Sequence, residues 1–106
     1  MVLAFAEREL RDLCASRNAL DRRFGLECGQ TFRERLADLR AAPCIHDLPL
    51  RKPDAVDSSG RMSLEVARRI RIVFYPNHRR IPLDGDGRID WSRVSRIKII
   101  AIESTQ

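Results

Sequence analysis

Residues 69–75 read Arg-Ile-Arg-Ile-Val-Phe-Tyr, and this alternation decides the fold. Successive side chains of a β-strand point to opposite faces of the sheet, so every second residue shares a face. One face is apolar and the other is largely polar: Ile70, Ile72 and Phe74 against Arg69, Arg71, Val73 and Tyr75. The pattern predicts a strand with one buried face and one solvated face.

Other segments of the chain also have the character of strands. Residues 61–66 alternate apolar and polar side chains, residues 94–102 form a third run, and residues 2–6 are a short apolar candidate for a first strand. In the third run we assign one set to the covered face and one to the open face: Ile97, Ile99 and Ala101 against Arg96, Lys98, Ile100 and Ile102. Together these runs predict a small, mainly antiparallel sheet that is covered on one side.

The covering layer comes from the first part of the chain. Residues 7–17 carry apolar side chains at helical spacing, and a longer helix follows Asn18 as its cap and ends before Pro43. Gly25 and Gly29 weaken that second helix by about 1 kcal/mol each relative to Ala, so a break near them stays open. Residues 43–60 are interpreted as a loop. We therefore predict one α+β domain over residues 1–106, with two N-terminal helices packed on one face of the sheet.

The positive charge is concentrated in the second half of the chain. Residues 1–50 hold 8 Lys and Arg against 8 Asp and Glu, whereas residues 51–106 hold 12 against 7, which accounts for the net charge of +5. With helices on the apolar face, the open face collects cations and an aromatic ring, which suits RNA phosphates and bases. The candidate RNA-binding residues are Arg61, Arg69, Tyr75, Arg96 and Lys98, with Arg71 among them. The alternative interpretation is that these are the solvated positions of any half-buried sheet.

The remaining segments bear on the cellular location of the protein and on metal binding. No segment approaches the roughly 18 consecutive apolar residues of a membrane span, and residues 1–9 lack the pattern of a signal peptide. The three cysteines form no Cys-x-x-Cys pair, which favours reduced thiols in a cytoplasmic protein. Residues 84–90 lack the ligands that complete a calcium loop, so we interpret them as a glycine-rich turn. We expect no metal site.

Several strings, in this order, resemble the HigB-like killer proteins of the RelE/ParE toxin superfamily. They are residues 5–14 (Phe-Ala-Glu-Arg-Glu-Leu-Arg-Asp-Leu-Cys), residues 33–42 with 47–49, residues 71–74 (Arg-Ile-Val-Phe), and residues 87–94 with 97–99. The resemblance implies an α+β toxin neutralised by a cognate antitoxin, itself a helix-turn-helix DNA-binding protein. It also implies a metal-independent endoribonuclease that cuts mRNA on the ribosome, without a small-molecule cofactor and away from membranes.

Carried over residue by residue, the resemblance implies three catalytic candidates. Arg71 matches the family's strand arginine and would stabilise the phosphate, and Lys52 lies in the loop that usually carries a catalytic cation. The family tends to end in Asp-Tyr-His, whereas residues 102–106 read Ile-Glu-Ser-Thr-Gln, so the usual acid–base pair is missing and Glu103 is the remaining base.

That departure from the family ending keeps two other hypotheses open. One is a degenerate toxin that binds an antitoxin or acts as a co-repressor without cleaving RNA. The other is a ParE-like inhibitor of DNA gyrase, which the quoted strings favour less because they resemble the nuclease branch.

Overall fold

A five-stranded mixed sheet forms the centre of the described chain. The computed structural model describes residues 1–49 and 51–105. The strands are β1 (Val2–Phe5), β2 (Asp54–Ala55), β3 (Met62–Ala67), β4 (Ile70–Pro76) and β5 (Arg96–Ser104). They lie in the order β1-β5-β4-β3-β2, with β1 parallel to β5 and every other neighbour antiparallel. The mainly antiparallel sheet is therefore confirmed, and the predicted loop over residues 43–60 contains its short edge strand.

Within the described residues, three α-helices rather than two precede β2, and a short 3₁₀ helix (Ile45–Asp47) follows them. The α-helices are α1 (Arg8–Ala15), α2 (Arg17–Phe24) and α3 (Leu26–Ala41). The cap of α2 is Ser16 and not Asn18, because the Ser16 hydroxyl accepts a hydrogen bond from the Ala19 N–H at 3.1 Å. The predicted long helix breaks at Gly25, whose φ of +90° is a conformation that glycine adopts without steric cost.

The helices cover the apolar face of the sheet. Ile70, Ile72 and Phe74 are fully buried, as their alternation predicts. They belong to one core with side chains from the helical layer: Cys14, Leu20, Phe32, Leu36 and Leu39. Burying a side chain of Leu or Phe size stabilises a fold by about 1.5–3 kcal/mol. This shared core confirms the α+β class, with the helices segregated at the N-terminal side.

The face assignment in β5 is wrong beyond Ile99, because the strand contains a bulge. Phe74 pairs with Ile99, but the preceding residue of β4, Val73, pairs with Ala101, so Ile100 is an extra residue. A bulge of this kind reverses the alternation that follows it. Ile102 therefore pairs with Ile72 and packs against the core, while Ala101 lies on the open face.

Three smaller features complete the description. No helix among the described residues is long and apolar enough to cross a membrane. Cys14, Cys28 and Cys44 carry no disulfide. Residues 84–88 form the predicted turn, in which the Asp84 carboxylate accepts backbone N–H groups of residues 86 and 88 at 2.8 and 3.0 Å.

Candidate functional site

The open face of the sheet carries two cross-strand pairs of polar residues from β4 and β5. Arg71 lies opposite Glu103, and Tyr75 lies opposite Lys98. Opposed residues of an antiparallel pair have Cβ atoms about 4.5–5.5 Å apart, so both members reach one ligand group. The two pairs are four positions apart on β4, or about 13 Å. The bulge at Ile100 creates the first pair, because unbroken alternation would turn Glu103 toward the core.

Arg71 is held in place by β3 and β2. Its Nε donates to the Ser63 hydroxyl at 2.6 Å, and its Nη2 donates to the Ser63 carbonyl at 3.2 Å. Nη2 also donates to the Asp54 carboxylate at 3.1 Å and forms an ion pair with it. Ser63 and Val73 are only 8% and 6% exposed, so the face predicted to be solvated is closed at its centre.

Lys52 is anchored to the loop that precedes it. Its ammonium donates to the carbonyl oxygens of His46 at 2.6 Å and Leu48 at 3.2 Å. Of the three catalytic candidates, the strand register places Arg71 opposite Glu103, whereas Lys52 is held by the loop carbonyls.

Arg61 belongs to a local network in the loop between β2 and β3. Its guanidinium donates to the Asp57 carboxylate at 2.6 Å and to the Ser59 hydroxyl at 3.1 Å. Hydrogen bonds from Ser59, and then the one from Arg61, lower the pKa of Asp57 to about 2. Asp57 is therefore ionised near neutral pH, and its charge offsets that of Arg61.

The other two predicted RNA-binding arginines lie at the ends of strands. Arg69 occupies the turn between β3 and β4 with a φ of 62°, and exposed Arg96 begins β5 opposite Val2. Of the predicted RNA-binding residues, the structure brings Tyr75 and Lys98 together on the open face. Arg61, Arg69 and Arg96 lie around its margin.

A groove that the sequence pattern does not predict lies at one end of the sheet, where the β2–β3 loop, the end of β4 and residues 78–91 meet. Its volume is about 790 Å³. Two aromatic rings, three arginines and a histidine line it: Tyr75, Trp91, Arg61, Arg79, Arg88 and His78. The lining comes mainly from loop segments distant in sequence, and loops lack the hydrophobic periodicity from which helices and strands are predicted. The available signal was the grouping of Arg79, Arg80 and Arg88 near Trp91 in the chain.

His78 has a defined role at the edge of this groove. Its Nε2 accepts hydrogen bonds from the backbone N–H groups of Ser95 at 3.0 Å and Arg96 at 3.3 Å. His78 thus ties the segment after β4 to the start of β5.

The fold and the site define an α+β domain with a mixed sheet whose open face carries an arginine–carboxylate pair and an aromatic–lysine pair. No group of three or more His, Cys, Asp or Glu side chains in the described part of the chain is placed to hold a metal ion. No family model, curated protein or solved structure matches the chain.

Proposed function

We propose that the protein is the toxin of a bacterial type II toxin–antitoxin pair. In this proposal it is a cytoplasmic, metal-independent endoribonuclease that cuts mRNA on the ribosome and is held inactive by a cognate antitoxin. The observation that carries the proposal is the cross-strand pair of Arg71 and Glu103 on the open face. The resemblance of residues 5–14, 33–42 and 71–74 to the killer proteins supports it.

The chemistry of RNA cleavage requires few groups. The 2′-hydroxyl attacks the adjacent phosphate, so a base and a fixed cation are the main requirements. Glu103 accepts the hydroxyl proton, and Arg71 stabilises the charge that develops on the phosphate. The leaving 5′-oxygen takes a proton from water. Tyr75 and Lys98 hold the neighbouring nucleotide, because an aromatic ring and a cation suit a base and its phosphate.

Induced expression in a bacterial host tests this proposal, with growth and the 5′ ends of mRNAs as readouts. We expect growth arrest with in-frame cleavage, abolished by Arg71→Ala and reduced about 10²–10⁴-fold by Glu103→Gln. Arg22→Ala, an exposed arginine of α2 on the other layer, is the matched control and should behave as wild type. Normal growth and uncut transcripts with soluble, folded protein would reject the nuclease. Arrest with uncut transcripts and lost supercoiling would point to gyrase instead.

A second candidate function, the degenerate toxin, is favoured by a different observation. Arg71 is already paired with Asp54, and Lys52 is held by loop carbonyls, so neither cation is free of protein partners. A protein of this kind binds its antitoxin, or acts as co-repressor on operator DNA, without cleaving RNA. Growth arrest that Arg71→Ala abolishes would argue directly against it.

A further inference from the structure

The groove at the end of the sheet has the chemistry of a binding site in its own right. Its volume of about 790 Å³ falls within the range of ligand pockets. Trp91 and Tyr75 line it, and Trp91 is fixed because its ring packs edge-on against the buried Phe74 ring, with centroids 5.9 Å apart. The backbone at Gly60 lies so close to Ile89 and Tyr75 that a Cβ would clash with the Ile89 side chain. The aromatic wall is therefore held by packing.

Part of the unpaired positive charge of the described residues lies at this groove, whereas several arginines elsewhere are held in ion pairs. Arg71, Arg61 and Arg51 form ion pairs with Asp54, Asp57 and Glu65 respectively. Arg79 and Arg88 line the groove, are exposed, and form no ion pair with any carboxylate in residues 1–49 and 51–105. Among the lining residues, Asp57 is the sole acid, and it already pairs with Arg61.

Two unpaired guanidinium groups beside aromatic rings favour a ligand that combines a planar apolar group with negative charge. Bases of single-stranded nucleic acid stack on Trp and Tyr, and their phosphates pair with arginine. We propose that this groove binds a nucleotide of single-stranded RNA, with the base against Trp91 and the flanking phosphates on Arg79 and Arg88. The inference rests on the proposed function for RNA as the ligand class, and adds a second contact region beyond the Arg71–Glu103 pair.

The single tryptophan makes the proposal testable by direct binding. The purified wild-type chain is titrated with a short single-stranded oligoadenylate, and Trp91 fluorescence and the anisotropy of labelled RNA are followed together. We expect RNA to quench Trp91, and the double variant Arg79→Gln/Arg88→Gln to weaken binding about tenfold or more. Arg17→Gln/Arg22→Gln, two exposed arginines of α2, is the matched control and should leave the affinity unchanged.

A base-free ribose-phosphate strand of the same length separates stacking from charge. We expect it to compete about tenfold more weakly than oligoadenylate, because it cannot stack. A Trp91→Leu variant should lose most of that difference and Trp91→Phe should restore it. Because Trp91 packs on Phe74, the fold of each Trp91 variant is checked by circular dichroism. The double arginine variant retains Trp91, so it tests RNA binding without altering this packing.

The outcomes distinguish this inference from the proposed function. Three results would each overturn the groove proposal, whatever happens in cells. They are equal RNA affinity for the double arginine variant and its control, equal affinity for the base-free strand and oligoadenylate, and tighter binding of an acidic peptide than of RNA. Uncut transcripts in cells together with arginine-dependent RNA binding in the groove would reject the nuclease and leave the groove proposal standing.

Discussion

Arg71 decides between the two candidate functions at the scale of single residues. Its partner Asp54 has a side chain that is 77% exposed, and exposed ion pairs contribute only about 0–1 kcal/mol. A phosphate that binds the guanidinium can displace such a partner. The hydrogen bonds to Ser63 are more protected, because Ser63 is buried, and they orient the guanidinium with or without Asp54.

Neutralising Asp54 should therefore strengthen RNA binding at Arg71. We expect Asp54→Asn to raise the affinity for a short single-stranded RNA about three- to tenfold, since the guanidinium loses its competing carboxylate, and to change stability by less than about 1 kcal/mol. Anisotropy of labelled RNA measures the first effect and urea unfolding the second. Asp12→Asn, from the exposed Arg11–Asp12 pair on α1, is the control. Equal affinities for the two variants would show that Asp54 does not compete with RNA.

Arg69 carries backbone strain. Its φ of 62° lies in the left-handed region, which costs L-residues about 1–2 kcal/mol and glycine almost nothing. We expect Arg69→Gly to stabilise the fold by roughly 1 kcal/mol in urea unfolding, after the entropy cost of the added glycine. Arg68→Gly, at the neighbouring turn position without a positive φ, should destabilise it. If Arg69 also contacts RNA, Arg69→Gly will weaken binding although it strengthens the fold.

At the scale of elements, the helical layer depends on a close approach between α2 and α3. A Cβ at Gly29 of α3 would clash with the Asp21 side chain and lie 3.1 Å from the Asp21 Cα and N. Asp21 cannot move freely, because its carboxylate pairs with Arg33 of α3. A glycine inside a helix, which propensity alone disfavours, is therefore required here by packing.

Gly29→Ala should destabilise the protein despite the better helix propensity of alanine. The gain of about 1 kcal/mol from propensity competes with overpacking, which costs about 1–3 kcal/mol and separates the two helices. We expect a net loss of stability of up to about 2 kcal/mol by thermal or urea unfolding. Gly85→Ala is the control, because nothing lies within 4 Å of its added Cβ and its φ is ordinary. A stabilised Gly29→Ala variant would contradict the close approach.

The thiol of Cys14 gives the helical layer a pH dependence. Burial raises the pKa of Cys14 to about 11, from an ordinary value of 9.0, and nearby Arg40 lowers it only in part. The folded state thus disfavours the thiolate, so stability is retained below pH 9 and falls as pH rises from about 9 to 11. Urea unfolding across this window should show a smaller decline for Cys14→Ala. Alkylation near pH 8 should modify half-buried Cys28 before Cys14.

The elements also show where periodicity succeeds and where it fails. Alternation correctly assigned the core face of β4 and the apolar residues of β3, because side chains in a paired strand have a fixed period of two. It failed at Ile100, because a bulge depends on how two strands pair and leaves no local signature. The break at Gly25 was anticipated only as an open alternative, since a glycine weakens a helix without deciding where it ends.

At the scale of the whole molecule, ion pairs offset part of the positive charge in the second half of the chain. Alternation predicts that the cations lie on the open face, but Arg71 is paired with Asp54 of β2 and Arg61 with Asp57 of the β2–β3 loop. The net charge of a sequence does not show which charges form ion pairs, because ion pairs depend on the tertiary structure. The pairing of Arg71 with Glu103 and the groove around Trp91 likewise depend on tertiary contacts between distant segments.

This distribution predicts how RNA binding depends on salt. Each phosphate contact to single-stranded nucleic acid contributes about 0.7 to the slope of log K against log salt concentration. Removing both groove arginines in Arg79→Gln/Arg88→Gln should lower the magnitude of that slope by roughly 1.4, and Arg71→Ala by about 0.7 or less, because Asp54 already offsets its charge. Anisotropy titrations between about 50 and 200 mM salt measure both slopes. A larger loss for Arg71→Ala than for the groove pair would mean that RNA displaces Asp54 and takes its main electrostatic contact at the centre of the sheet.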